Sequence, residues 1–194
     1  MPSANDIARY ILYLAAQEPE ECMSHLRLQK LLYYVQGWHL AVKQSPAFVE
    51  RVEAWQHGPV VRETWDNFKK YGQNPIPFDE EAEDPNSVSE ETKGFIRSVW
   101  EHYGKFSASA LYRKTHNETP WLKTWGNRSS DEYSQDEIDQ ELMMSYFSFE
   151  RERQEVPGLE LESMAESERE FQQGGGRSLR QIGRDLGHEP ASAF

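Results

Sequence analysis

Apolar residues recur at helical spacing along most of the first 149 residues, with one extended interruption. Ile7, Tyr10, Ile11 and Leu14 predict a first helix over Asp6–Ala16. Ser3 or Asn5 stands where a cap is needed, and Pro19 lies beyond the end. Ser24 caps a second predicted helix through about Val42, with Leu28, Leu31, Leu32, Val35, Trp38 and Val42 as its buried stripe. Tyr34 and Leu40 fall off that stripe, so a second surface of the same helix is expected to be covered. Ser45-Pro46 breaks the period, and the alternation from Val49 to Trp55 suits a short extended segment. His57-Gly58-Pro59 reads as a turn, with Pro59 opening a helix over about Val60–Lys70 and Gly72 placed as its C-terminal cap.

Farther on, Asn74-Pro75-Ile76-Pro77 is a loop and Asp79–Asp84 an acidic exposed run. Ser87-Val-Ser-Glu90 reads as a capping box for a helix through Tyr103, with Phe95, Ile96, Val99 and Trp100 inward. Ser107 starts a shorter helix to about Thr115, and Thr119-Pro120-Trp121 starts another with Pro120 in its first turn. Ser134-Gln-Asp-Glu137 reads as a second capping box, opening a helix with Ile138, Leu142, Met143, Tyr146 and Phe147 on its apolar side. After Phe149 aromatic residues almost vanish and Glu, Gln, Ser and Gly take over. The reading is a mostly α fold: a multi-helix domain over 1–149 with a short extended segment near 49–56. A charged tail over 150–194, partly disordered or helical, carries the Gly174-Gly-Gly176 link and a short helix over Ser178–Leu186.

The 194 residues hold no apolar run long enough to span a bilayer, so no membrane partner is expected. Met1-Pro-Ser-Ala-Asn-Asp6 lacks the basic and apolar regions of a signal peptide. One cysteine, Cys22, excludes an intramolecular disulfide framework and suits a reducing cytoplasm. A net charge of -12 argues against general nucleic-acid affinity, since phosphate binding needs a surplus of Lys and Arg on some face.

Candidate chemistry is sparse. The histidines His25, His39, His57, His102, His116 and His188 form no His-x-x-x-His pair and no zinc spacing with cysteine. No metal and no cofactor is expected. His39 in a helix and His57 in a turn read as structural residues. Nothing local activates Cys22 as a nucleophile. Carboxylates cluster in solvated runs, and a hydrolase would need a pocket where His and carboxylates converge. Most tryptophans should be core, but Trp121 and Trp125, one helical turn apart, could share an outer face and form a binding hot spot. Ser178-Leu-Arg-Gln-Ile-Gly-Arg-Asp-Leu-Gly187 looks like the opening of a helix-turn-helix, with too little chain after it for a recognition helix.

Three strings in order carry a resemblance: Leu28-Gln-Lys-Leu-Leu-Tyr-Tyr-Val-Gln-Gly-Trp-His-Leu40, Glu53-Ala-Trp-Gln-His-Gly-Pro-Val-Val61 and Phe68-Lys-Lys-Tyr-Gly72. Together with Thr115-His116, Pro120-Trp121 and Tyr146-Phe147 they resemble the Panacea domain, also described as SocA-like or as phage-associated GepA-like, over roughly Ile7–Phe149. The resemblance implies an antitoxin that binds a cognate toxin encoded by an adjacent gene, without catalytic residues. The matching positions Lys30, Tyr33, Gln36, Trp38, Trp55, His57, Gly58 and Pro59 are candidate fold-determining or partner-binding residues. For Gly58 and Pro59 the turn favours the first role. For Lys30, Gln36 and His57 a buried hydrogen-bond network and a binding patch stand equally open.

The expected function is therefore that of a toxin-neutralising protein and not an enzyme, acting by occlusion, allostery or delivery of the toxin to a protease. A DNA-binding regulator using the tail is the alternative, and a homo-oligomer is compatible with the chain. An acidic antitoxin would suit a toxin with a basic site. Association with such a toxin should slow as ionic strength rises in stopped-flow mixing; equal rates at low and high salt would remove electrostatic steering from the account.

Overall fold

The structure, a computed structural model, describes residues 1–18, 23–72, 74–78 and 87–153. It is mostly helical. The described elements are α1 (Ala4–Ala16), α2 (His25–Lys43), β1 (Val52–Trp55), β2 (Gly58–Val61), α3 (Arg62–Phe68) with a 3-10 turn at Lys69–Tyr71, α4 (Glu90–Tyr103), α5 (Ala108–His116), α6 (Thr119–Trp125) and α7 (Gln140–Glu152). The expected boundary at residue 149 falls inside α7. The acidic run after Phe78, Cys22, the glycine link, the final short helix and the helix-turn-helix-like string lie outside the described residues.

The organising element is α2. Sixteen of its 19 residues are buried, so the helix is covered on its whole circumference and must lie at the centre. It packs against α1, α3, α4, α5, α7 and β2. Both surfaces expected from the sequence are covered: the stripe from Leu28 to Val42, and Tyr34 and Leu40. In α1 the inward face is Ala4, Ile7, Ala8, Ile11, Leu12 and Ala15, while Tyr10 and Leu14 are only half-buried. Small residues at positions 4, 8 and 15 let the backbone approach the core, which the search for large apolar residues overlooks.

Helix starts follow local side-chain chemistry. Ser3 and Asp6 form a reciprocal capping box, and Ser24 and Ser107 cap α2 and α5 as expected. Two expected boxes are displaced. Ser89, not Ser87, caps α4 by accepting from the Thr92 amide at 3.2 Å. Ser134 does not open α7; Asp139 does, accepting from the Leu142 amide at 2.9 Å. The segment between them is held in extended form instead. Ala54 N–H donates to Asp136 O at 2.8 Å and Ile138 N–H to Val52 O at 2.7 Å, so residues 136–138 line the free edge of β1.

That pairing also explains the largest correction. Pro59 does not begin a helix; it lies in β2, opposite Ala54 in an antiparallel hairpin whose turn is Gln56-His57. In such a ladder alternate residues turn their N–H and C=O away from the partner strand. Ala54 turns its own to Asp136, so the position opposite it asks for no donor and tolerates a proline. Helix α3 therefore starts only at Arg62. Gly72 ends the following turn with φ 57°, as its place after Tyr71 suggested.

The seam between α2 and α7 is aromatic. The Phe147 ring meets Tyr33, Trp38 and Tyr34 at centroid distances of 5.4, 5.1 and 6.1 Å, and Tyr34 stacks on Tyr103 at 3.8 Å. Gly37 faces the same ring, and a Cβ built there would overlap it. Gly37→Ala should lower stability in urea by roughly 1–3 kcal/mol, because the overlap outweighs the better helix propensity of alanine. Adding Phe147→Leu should recover part of that loss, and two strictly additive losses would contradict the contact.

Candidate functional site

The expected site residues fall into three places. The first is the underside of the hairpin. Lys30 is completely buried and its ammonium Nζ donates to Pro59 O at 3.0 Å. Gly58, the residue before Pro59, has φ +92°, which favours glycine. A Cβ there would stand 2.7 Å from Lys30 Nζ and 3.1 Å from His116 Cε1. Gly58 is thus required twice, for its backbone and for the room Lys30 occupies. Gln29 adds a second tie, its Oε1 accepting from Val61 N–H at 2.8 Å. His116 faces Gln56 O at 3.1 Å, and its ring lies tilted against Trp121 at a centroid distance of 4.1 Å.

The second place lies on the other sides of α2. Buried Gln36 accepts from Ala47 N–H at 2.8 Å and Phe48 N–H at 3.3 Å and donates to Phe48 O at 3.1 Å, so it pins the chain leaving α2. Trp38 donates its indole N–H to the Tyr103 hydroxyl at 2.9 Å. Tyr34 donates to Glu118 Oε1 at 3.0 Å. Burial raises the Tyr33 phenol and the nearby Glu118 carboxylate raises it further, although no hydrogen bond of standard geometry joins them.

The third place is at the surface. Trp55 is half-buried, and its indole N–H donates to Glu53 Oε2 at 2.7 Å. Arg62 grips the same carboxylate through Nε at 3.2 Å and a terminal nitrogen at 3.1 Å, with its guanidinium 5.1 Å from the Trp55 ring. Trp65 lies 5.3 Å and Tyr133 6.4 Å from Trp55, and Tyr133 is 69% exposed. These rings are neighbours on one face, each held by a polar or aromatic contact.

Residues 28–122 match the family model described as Antitoxin SocA-like, Panacea domain. That segment of the chain is similar to the Panacea domain. No curated protein and no solved structure matches it. The Panacea-like segment runs from α2 to α6, so it contains Lys30, Gln36, the whole hairpin, Glu118 and Trp121. Trp125, Tyr133 and Phe147 lie past its end.

Within and around that segment, Lys30, Tyr33, Gln36, Trp38, Gly58 and Pro59 are all buried. His57 is exposed at the hairpin tip. Trp121 and Trp125 are not on an outer face: they are 6% and 5% exposed, stacked at 5.4 Å, with indole N–H groups bonded to Trp55 O and Arg128 O. Sequence reasoning passed over Glu53, Arg62, Trp65, Tyr133 and Glu118. Glu53 sits on the opposite phase of the strand alternation from Val52 and Ala54, where a charge is the ordinary occupant, so no local signal marked it as buried. Among the described residues no three His, Cys, Asp or Glu side chains converge as a metal site, and no helix is long and apolar enough to cross a membrane.

Burial sets the electrostatics. It pushes the Lys30 ammonium down to about 7 and the Glu118 carboxyl up to about 7, the latter opposed by Lys114 and by the Tyr34 hydrogen bond. Burial, then the charge of Lys30, lowers His25 to about 4. Between pH 4 and 6.5 the unfolded chain binds the His25 proton more tightly, so stability rises with pH; Glu118 acts in the opposite direction between 4.5 and 7. Above pH 7 Lys30 acts alone among these three. The unfolded lysine keeps its proton to 10.5 while the folded one gives it up near 7, so stability should climb from pH 7 to 9.5, by at most about 1.4 kcal/mol per pH unit. Urea denaturation across that range should show the rise, and Lys30→Met should flatten it. An equal rise in the variant would assign it elsewhere.

Proposed function

We propose that this protein is an antitoxin that neutralises a cognate toxin by direct binding, and that it does so with the face built around Trp55. The antitoxin-like family supports the general role. The carrying observation is that Trp55, alone among the tryptophans marked from the sequence, is only half-buried, while Glu53 and Arg62 fix its ring. Trp, Tyr and Arg are the residue types that dominate binding energy at protein interfaces, and Trp55, Trp65, Tyr133 and Arg62 supply all three within one patch. A ring already held in place loses little freedom on binding, which favours a tight stoichiometric complex over a loose one.

The buried positions serve this surface indirectly. Lys30, Gly58 and Pro59 set the hairpin that ends at Trp55, and Trp121 holds the Trp55 carbonyl at 2.9 Å. Tyr33, Gln36, Trp38 and Trp125 hold the helices around it. In this reading the toxin is the product of the adjacent gene, both proteins work in the cytoplasm, and no side chain of this chain makes or breaks a bond. Residues 1–149 form the binding domain, with 150–194 as its tail.

Co-expression should relieve the growth arrest caused by the neighbouring gene, and the two products should co-purify in fixed ratio. Trp55→Ala should weaken the complex by about thirtyfold or more, roughly 2 kcal/mol, with the circular dichroism unchanged. A harmless neighbour whose product is never captured would refute the antitoxin role. An unaltered affinity in Trp55→Ala would refute this face while leaving the role standing.

A further inference from the structure

A small cavity opens among α2, α4, α5, α7 and the start of α6, and none of its lining residues belongs to the Trp55 cluster. Its walls are the rings of Trp38, Tyr103, Tyr146 and Phe147. Glu118, only 3% exposed, lines it. Oε1 of that carboxylate accepts from Tyr34, while Oε2 is buried without a hydrogen-bond donor of standard geometry. Lys114 and Glu150 stand at the same cavity, and Lys114 reaches no closer than 3.9 Å to Glu118 Oε1, its side chain 40% exposed.

We propose that this cavity is a receptor for a primary alkylammonium group. The ammonium would donate to the buried Glu118 carboxylate. The space holds on the order of three waters, which suits an ammonium and its first one or two methylenes with the rest of the chain outside the mouth, and is too small for a quaternary head. Lys114, Glu150 and the phenols of Tyr33, Tyr34, Tyr103 and Tyr146 are the ionisable groups that face Glu118 or the cavity. Because burial raises Glu118 to about 7, the site takes a cation better at pH 8 than at pH 6. The inference stands apart from the toxin-binding face and survives its failure.

The test is a titration of the full chain with n-butylammonium chloride, followed by the NMR signal of the Trp38 indole N–H, which points at Tyr103 on the cavity wall. Sodium chloride and tetramethylammonium chloride at equal ionic strength are the controls. The expected result is a saturable shift with butylammonium alone, weakened about tenfold or more in Glu118→Gln, and about tenfold weaker at pH 6 than at pH 8. A parallel titration with N-acetyl-lysine N-methylamide separates the sources: binding by both probes points to a lysine of a protein partner, binding by butylammonium alone to a free amine. No saturable shift with either probe, or equal binding by Glu118→Gln, would overturn the proposal. The comparison of butylammonium with its controls on the unaltered chain decides the matter even if the variant folds poorly.

Discussion

A helix buried on its whole circumference carries polar side chains at a cost unless they find partners inside. Helix α2 carries several, and their reach sets much of the surrounding structure. Lys30 ties down the hairpin, Gln29 the amide of Val61, and Gln36 the chain at Ala47-Phe48. An unpartnered buried polar group costs on the order of a few kcal/mol, so these ties specify where loops and strands must run. Lys30 is the extreme case. It carries its amine into a site where burial alone acts on its ionisation, and a glycine makes the room for it. The Lys in the middle of one string and the Gly-Pro of the other are two halves of one contact.

That contact clarifies which positions of the Panacea-like segment do what. Most of the marked residues form the joints of the scaffold, where volume, backbone angle or hydrogen bonding leaves little freedom. Trp55 is different, because it stands at the end of the strand that those joints hold. Burial of Trp121 against its carbonyl turns a flexible hairpin end into a fixed one. The face that results owes its geometry to residues that never reach it.

Helix positions were legible in the sequence because their signals are local. Ser24, Ser107 and Pro120 announce starts, and the stripe from Leu28 to Val42 announces a buried face. The pairing of β1 was not legible, because it depends on residues 136–138, more than eighty positions farther along. Pro59 and Ser134 carry strong local helix signals that this distant pairing overrides. The same distance hid the surface cluster, since Tyr133 meets Trp55 only once the loop before α7 folds back. The spacing of Trp121 and Trp125 correctly placed them on one side of a helix. It could not tell whether that side faced solvent or the hairpin.

The central claim is that Lys30 lies folded beneath the hairpin and holds it, buried so fully that its ammonium gives up its proton near pH 7. The direct measurement is the titration of its side chain by carbon NMR at Cε in the folded protein. The account predicts a midpoint near 7, with the hairpin amide of Val61 protected from exchange throughout. A midpoint near the ordinary 10.5 would mean that Lys30 reaches water, and the account of the hairpin would fail with it.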